Sequence, residues 1–144
     1  MSRDFLLGDY PKAIQERYGK PRSARGRTVA MWVGIVFWGA CFLPLLSAAL
    51  LDLRAAIGGD LGFWPAAACA AIAFATMMLY DLLVLDWLIL AGLRPSLMIL
   101  PGTAGMREYR DLRFHLVQAL KGSPLILVVG VIAGGVVTAV EAIA

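Results

Sequence analysis

The sequence contains few charged residues, and this scarcity excludes an ordinary soluble domain. Of its 144 residues, 16% are charged and 60% are hydrophobic, whereas soluble domains carry about 25% charge. The single histidine and the two cysteines, Cys41 and Cys69, lack the spacing of a metal site. No nucleic-acid-binding motif is present either. We therefore expect an integral membrane protein that binds no metal through these residues and no nucleic acid.

Helix-breaking residues are missing from the centre of the chain. Neither glycine nor proline occurs between Pro65 and Gly92, within an apolar run over residues 62–93. A continuous helix over this run would be roughly 48 Å long, which exceeds the ~30 Å hydrocarbon core of a bilayer. The run therefore predicts one membrane-spanning helix that tilts or protrudes.

Two tryptophans indicate how this helix lies in the membrane. Trp64 and Trp87 are 23 residues apart, or about 35 Å along a helix, and indole rings favour the two membrane interfaces. On this register Asp86 lies near one interface and Asp81 lies deeper, inside one leaflet. Asp81 is the anomalous residue, because an ionisable side chain is costly at that depth.

Two further apolar runs predict two more spans, and the amphipathic run between the second and third predicts an interfacial helix. The first span contains Pro44, which should kink it, and the third should begin with Ser123 as N-cap and Pro124 as first residue. The predicted fold is an all-α integral membrane protein with spans at about 29–51, 62–93 and 124–144 and an interfacial helix at about 106–121. Residues 1–27 form a basic N-terminal segment, and residues 28–144 form a single membrane domain.

A four-span alternative would break the central helix near Tyr80 and add a crossing over residues 81–100. No turn-forming residue occurs at the break. The extra crossing would also export the basic stretch from Arg94 to Lys121, against the positive-inside rule. Three spans are therefore preferred.

The basic residues also predict orientation and location. Three spans leave residues 1–27 and the stretch from Arg94 to Lys121 together in the cytoplasm, and the C-terminus outside. We expect a bacterial-type inner (plasma) membrane. Lys12 to Tyr18 forms either a short helix on anionic headgroups or part of a solvated tail.

Asp81, Asp86 and His115 are the candidates for ligand or proton binding. On an α-helix the two aspartates lie about 140° apart and do not converge on a metal ion. Asp86 is either an interfacial carboxylate paired with a cytoplasmic base such as Arg94 or Arg107, or a functional acid. Asp81 is either a structural acid or a group that handles protons or a ligand. We predict no catalytic residue and no identifiable cofactor.

Small residues form two rows suited to close helix packing. Gly130, Gly134 and Thr138 share one face of the third span. On the second span, Ala66, Ala70 and Phe74 share a face with Asp81, and another helix should cover that face. These rows pack either against each other or against a second copy or another membrane protein.

Four arginines are candidates for binding anionic lipid headgroups: Arg94, Arg107, Arg110 and Arg113. The nearby glycine-containing turn at residues 101–105 either presents backbone amides to an anion or is an ordinary loop.

Three functional hypotheses follow from this organisation. The first is a noncatalytic accessory or interaction subunit, or a regulator, that contacts a larger membrane protein or itself through small-residue faces. The alternative is a homo-oligomeric proton- or cation-linked transporter or channel that uses Asp81. A third is a lipid-modifying enzyme that uses Asp86 and His115 at the interface, although no activated nucleophile is present. In each of the three hypotheses the protein lies in the lipid bilayer.

Overall fold

A computed structural model describes residues 3–143, of which 80% are helical and none lies in a strand. The predicted all-α class is confirmed. We number the helices α1 (Lys12–Tyr18), α2 (Ala24–Ile57), α3 (Phe63–Leu93) and α4 (Leu112–Ile143). Short 3-10 turns occupy Leu7–Asp9, Ser96–Met98 and Arg107–Arg110.

The three long helices α2, α3 and α4 are each long and apolar enough to cross a membrane. Many of their large apolar side chains are exposed, as expected for helices that meet lipid instead of water. Helix α3 continues through Tyr80 without a break, so the described chain contains no turn where the four-span alternative needed one.

Helix α2 begins at Ala24, five residues before the predicted start, because Ser23 caps it. The Ser23 hydroxyl accepts a hydrogen bond from the backbone N–H of Gly26 at 3.0 Å. The Asp4 carboxylate accepts hydrogen bonds from the Ser23 backbone N–H at 2.6 Å and from its hydroxyl at 3.1 Å. A carboxylate at a helix N-terminus also interacts favourably with the helix dipole.

The irregularity predicted at Pro44 occurs as a π-helical stretch within α2. The helix is α-helical over Ala24–Ile35, π-helical over Val36–Phe42 and α-helical again over Leu43–Ile57. Proline has no N–H to donate to the carbonyl four residues earlier, and a π-type widening is one way in which a helix absorbs such a defect.

Helix α4 begins earlier than the predicted third span. An α-helix over Leu112–Gly122 joins a second over Pro124–Ile143 through Ser123. Ser123 does not act as the predicted N-cap, because its hydroxyl donates to the carbonyl of Leu120 at 2.8 Å. Since Pro124 cannot donate to that carbonyl, the serine satisfies it and the helix continues. Residues Arg107–Arg110 form a 3-10 turn where the sequence predicted the start of the interfacial helix.

The chain divides into two compact units. The first comprises residues up to Phe37 together with Tyr80–Gln118, and the second comprises Trp38–Leu79 together with residues from Ala119 onward.

The first unit is held by a group of buried side chains that we call the tyrosine cluster. Its members are Leu7, Tyr10, Ile14, Leu90, Leu100 and Tyr109. Tyr10 and Tyr109 meet edge to face with ring centroids 5.4 Å apart, and the Tyr10 hydroxyl donates to the Met98 carbonyl at 2.6 Å. The N-terminal segment is therefore a packed element and not a solvated tail. Its helix α1 has the predicted bounds.

The second unit is centred on Phe42, Leu46, Ala70 and Phe74. Trp38 stacks on Phe74 at 5.5 Å between ring centroids. Ala66 and Ala70 are fully buried, which shows that the small-residue row of α3 faces protein.

Glu141 fixes one end of the second unit. Its carboxylate accepts hydrogen bonds from the backbone N–H groups of Leu61 at 2.7 Å and Gly62 at 3.0 Å, directly before α3 begins at Phe63. The negative charge lies at a helix N-terminus, where it is favourable. Glu141 thus connects the end of α4 to the start of α3.

Candidate functional site

The hydrogen-bond pattern of α3 changes at Asp81. Phe63–Tyr80 is α-helical, whereas Asp81–Leu93 is π-helical, and the backbone N–H of Arg94 donates to the carbonyl of Ile89, five residues earlier, at 2.8 Å. Hydrogen bonds between residues five apart place residue i+5 nearly over residue i. Asp81 and Asp86 therefore lie on the same side of α3, and the separation expected from an α-helical period is corrected.

Asp86 and His115 form an ionisable pair in the first unit. The Nδ1 atom of His115 lies 3.2 Å from Oδ2 of Asp86, and the exposed fractions of the histidine and aspartate side chains are 4% and 25%. Helix α4 presents His115 to the π-helical part of α3. The base that contacts Asp86 is thus a histidine and not Arg94 or Arg107.

Two polar atoms at this site are buried without a hydrogen-bond partner among the described residues. They are Nε2 of His115 and Nε1 of Trp87. Leaving a buried donor or acceptor unpaired costs about 1–3 kcal/mol, and unpaired buried polar atoms are uncommon in folded proteins. The His115 imidazole therefore contacts Asp86 through Nδ1, whereas its Nε2 has no hydrogen-bond partner among the described residues.

Asp9 is a third ionisable residue close to Asp86 and His115. We call these residues, together with Asp81, the charge group. Burial of its carboxyl raises the pKa of Asp9 above the usual 3.8, although the residue as a whole keeps an exposed surface. The Arg22 charge opposes this shift, the Asp86 charge adds to it and His115 opposes it. Because the folded protein holds this proton more tightly than the unfolded chain, Asp9 makes the unfolding free energy fall as the pH rises from 3.8 through the folded-state pKa.

Asp81, like Asp9, is an exposed residue of this group. It lies on α3, and Asp86, Asp9 and His115 are near enough to interact with its charge. The sequence predicted that Asp81 would share the buried face of Ala66, Ala70 and Phe74. Because the helix becomes π-helical at Asp81, the α-helical spacing that aligns Ala66, Ala70 and Phe74 does not extend to Asp81. Asp81 therefore lies outside the buried face.

The turn at residues 101–105 is stabilised from inside. Thr103 is fully buried, and it forms a closed ring of three hydrogen bonds with Leu100 and Tyr109. The Thr103 hydroxyl donates to the Leu100 carbonyl at 2.8 Å, and the Leu100 N–H donates to the Tyr109 hydroxyl at 3.1 Å. The Tyr109 hydroxyl lies 2.7 Å from Thr103 Oγ1. Because the threonine proton is already used, Tyr109 is the donor to Thr103. This geometry is that of a structural loop tied to the tyrosine cluster.

The glycine row of α4 contacts α3 of the same chain. A Cβ atom placed on Gly130 would lie 2.9 Å from the carbonyl oxygen of Ala67, and one on Gly134 would lie 2.8 Å from that of Phe63. The Thr138 hydroxyl donates to the Gly134 carbonyl at 2.9 Å. Of the two arrangements left open by the sequence, packing within the chain is the one observed.

The four candidate arginines differ in their surroundings. Arg94 is half-buried and ends the π-helical stretch in a left-handed conformation with φ 46°. Arg107, Arg110 and Arg113 are exposed. None of the four forms an ion pair with a carboxylate among the residues that the structure describes.

The site combines acids and a histidine without the geometry of a metal centre. Within residues 3–143, no group of three or more His, Cys, Asp or Glu side chains is arranged to hold a metal ion. The Asp86–His115 contact is a pair of one acid and one imidazole, with the imidazole buried.

The tyrosine cluster left one signal in the sequence, because Leu7, Tyr10 and Ile14 are apolar positions within a mostly polar segment. The pairing of Asp86 with His115 carries no comparable local signal in the sequence.

The three long helices, each long and apolar enough to cross a membrane, indicate a multi-pass membrane protein. Comparisons with protein-family models, with curated proteins and with solved structures gave no match.

Proposed function

We propose that this protein is a noncatalytic accessory subunit or regulator that binds a larger protein within the membrane. The observation that carries this proposal is the position of Asp81 as an exposed residue on α3. An ionisable side chain in a membrane span normally faces protein or a water-filled cavity, because hydrocarbon solvates it poorly. The face around Asp81 is therefore the part of the surface that most needs a covering partner.

The contacts of the glycine row support this choice of face. Gly130 and Gly134 already approach Ala67 and Phe63 of α3, so a partner gains nothing from them. By contrast, Tyr80 directly before Asp81 is exposed, and Leu85 about one turn after it is partly exposed. The partner thus contacts the Asp81 face, and the small-residue rows serve the fold of this chain.

We expect one larger membrane protein to copurify with the tagged full-length chain in mild detergent, and to be lost when Asp81 is changed. Asp81→Leu removes the carboxylate entirely, whereas Asp81→Asn keeps its shape and part of its hydrogen bonding. We expect recovery of the partner to fall about tenfold or more for the leucine variant and less for the asparagine variant, because an uncharged hydrogen-bonding group retains about 1 kcal/mol of a typical contact.

Asp52→Asn is the matched control, because Asp52 is an exposed acid near the end of α2. Its variant should recover the partner like the wild type. Equal recovery with all three variants, or no copurifying protein at all, would contradict the proposal.

A second candidate is a homo-oligomeric transporter or channel linked to protons or cations. It is favoured by the grouping of Asp9, Asp81, Asp86 and His115 in the first unit. An acid-dependent ion flux from the purified protein in liposomes, abolished by Asp81→Asn in a folded protein, would select this candidate over the accessory role.

We further propose that the chain lies in a bacterial-type inner membrane, with the N-terminus and residue 105 cytoplasmic and the C-terminus external. The basic residues before Thr28 and from Arg94 to Lys121 support this orientation through the positive-inside rule. The first part of α4, Leu112–Gly122, lies at the interface in this arrangement, with Arg113 and Lys121 near the headgroups.

Reporter fusions test this orientation directly. A reporter at the N-terminus or after Gly105 should show cytoplasmic activity, and one after Ala144 should show external activity. A cytoplasmic signal from the C-terminal fusion would be incompatible with three crossings.

A further inference from the structure

Two arginines in the first unit are aligned by a short turn. Arg107–Arg110 is a 3-10 helix, in which side chains three residues apart eclipse each other. Arg107 and Arg110 therefore project from the same side of the turn, and both are exposed. Tyr109 between them is buried, with 3% of its surface exposed.

The turn at Arg107–Arg110 is fixed by contacts of its buried residue Tyr109. Tyr109 takes part in the ring of hydrogen bonds with Leu100 and Thr103 and packs against Tyr10. The turn also lies against α1 and the π-helical part of α3. The backbone that carries the two arginines is therefore fixed next to the end of a membrane span.

The charges of the two arginines are not neutralised by the described part of the chain. Glu108 lies between them in sequence, yet no ion pair joins it to either arginine. Asp111 accepts a hydrogen bond from the Phe114 backbone N–H at 3.0 Å, as an N-cap of α4. Both guanidinium groups are therefore available to an anion from outside the described part of the chain.

We propose that Arg107 and Arg110 bind the phosphate of an anionic phospholipid headgroup. Guanidinium groups match phosphate oxygens in a bidentate geometry. Directly after the turn, α4 exposes Leu112 and Leu116, which offer apolar surface to the acyl chains. The combination of phosphate-binding and apolar side chains fits a phospholipid, whereas a soluble phosphate would use only the arginines. Arg113, exposed on the first turn of α4, adds to the positive potential.

The test measures lipid binding to the purified full-length protein in mild detergent by native mass spectrometry. Phosphatidylglycerol is the anionic probe, phosphatidylcholine the zwitterionic probe and inorganic phosphate the soluble probe. We expect phosphatidylglycerol to bind more tightly than either of the others. Each arginine changed to glutamine should weaken its binding roughly fivefold, so Arg107→Gln/Arg110→Gln should weaken it roughly 25-fold.

Arg54→Gln is the matched control, because Arg54 already pairs with Asp60 at 2.9 Å and lies outside the turn. It should bind phosphatidylglycerol like the wild type. Circular dichroism identifies any unfolded variant, and the single Arg110→Gln variant then replaces the double one. Equal binding of the two lipids, unchanged affinity in the arginine variants, or equally tight binding of inorganic phosphate would each overturn the proposal.

Discussion

Gly134→Leu is expected to lower the free energy of unfolding by about 3 kcal/mol or more. A Cβ atom at this position would lie 2.8 Å from the carbonyl oxygen of Phe63 and 2.9 Å from its ring atom Cδ2. Because the nearest atom belongs to the backbone, the leucine cannot be accommodated by a rotamer change alone, and α3 and α4 must separate. Thermal unfolding in detergent, followed by circular dichroism and gel filtration, measures the loss.

The neighbouring Gly135 provides the control. Nothing lies within 4 Å of a Cβ atom built there, so Gly135→Leu adds a similar apolar side chain at an open position. Its unfolding temperature should stay close to that of the wild type. If the two variants unfolded at the same temperature, the close approach of α4 to α3 at Gly134 would be disproved.

His115→Leu is expected to destabilise the protein by about 2–3 kcal/mol, because it leaves the Asp86 carboxylate without its partner. Asp86→Leu should also destabilise, since both nitrogens of the buried imidazole then lack a partner. In the double variant neither polar group remains, and much of the stability should return. Unfolding temperatures of the wild type, both single variants and the double variant complete a double-mutant cycle.

The exposed Arg54–Asp60 pair is the reference for this cycle. Its side chains are 48% and 68% exposed, and exposed ion pairs typically contribute about 0–1 kcal/mol. We expect a clearly larger coupling energy for Asp86 and His115 than for this pair. Additive effects of Asp86→Leu and His115→Leu would show that the two side chains act independently.

The parts of the fold that depend on local patterns were predictable from the sequence. Uninterrupted apolar runs predicted the three long helices. The short helix over Lys12–Tyr18 was one of two alternatives for that stretch, and it is the one observed as α1. The small residues Ala66 and Ala70 were expected to face another helix, and both are fully buried. Each of these features follows from hydrophobicity or residue size over a few helical turns.

The parts that depend on contacts distant in sequence were not predictable. No sequence feature between Asp81 and Leu93 indicates a π-helix. The angle of about 140° expected between Asp81 and Asp86 assumed an α-helix, whereas this stretch is π-helical. Pairing of Asp86 with His115 joins residues 29 positions apart. The extension of α4 back to Leu112 depends on one side-chain hydrogen bond, from Ser123 to Leu120, that compensates for Pro124.

The most direct test of the accessory role is site-specific photo-crosslinking in native membranes. A photoreactive amino acid replaces Leu85, which is partly exposed about one helical turn after Asp81. The control replaces Ile72, exposed on the same helix and about 13 Å from Asp81 along its axis. We predict a protein adduct of defined larger mass from position 85 that is lost when Asp81→Leu is added, and no such dependence at position 72. Adducts from position 85 with lipid alone, or only with a second copy of this chain, would contradict an accessory subunit that covers Asp81 with a larger membrane partner.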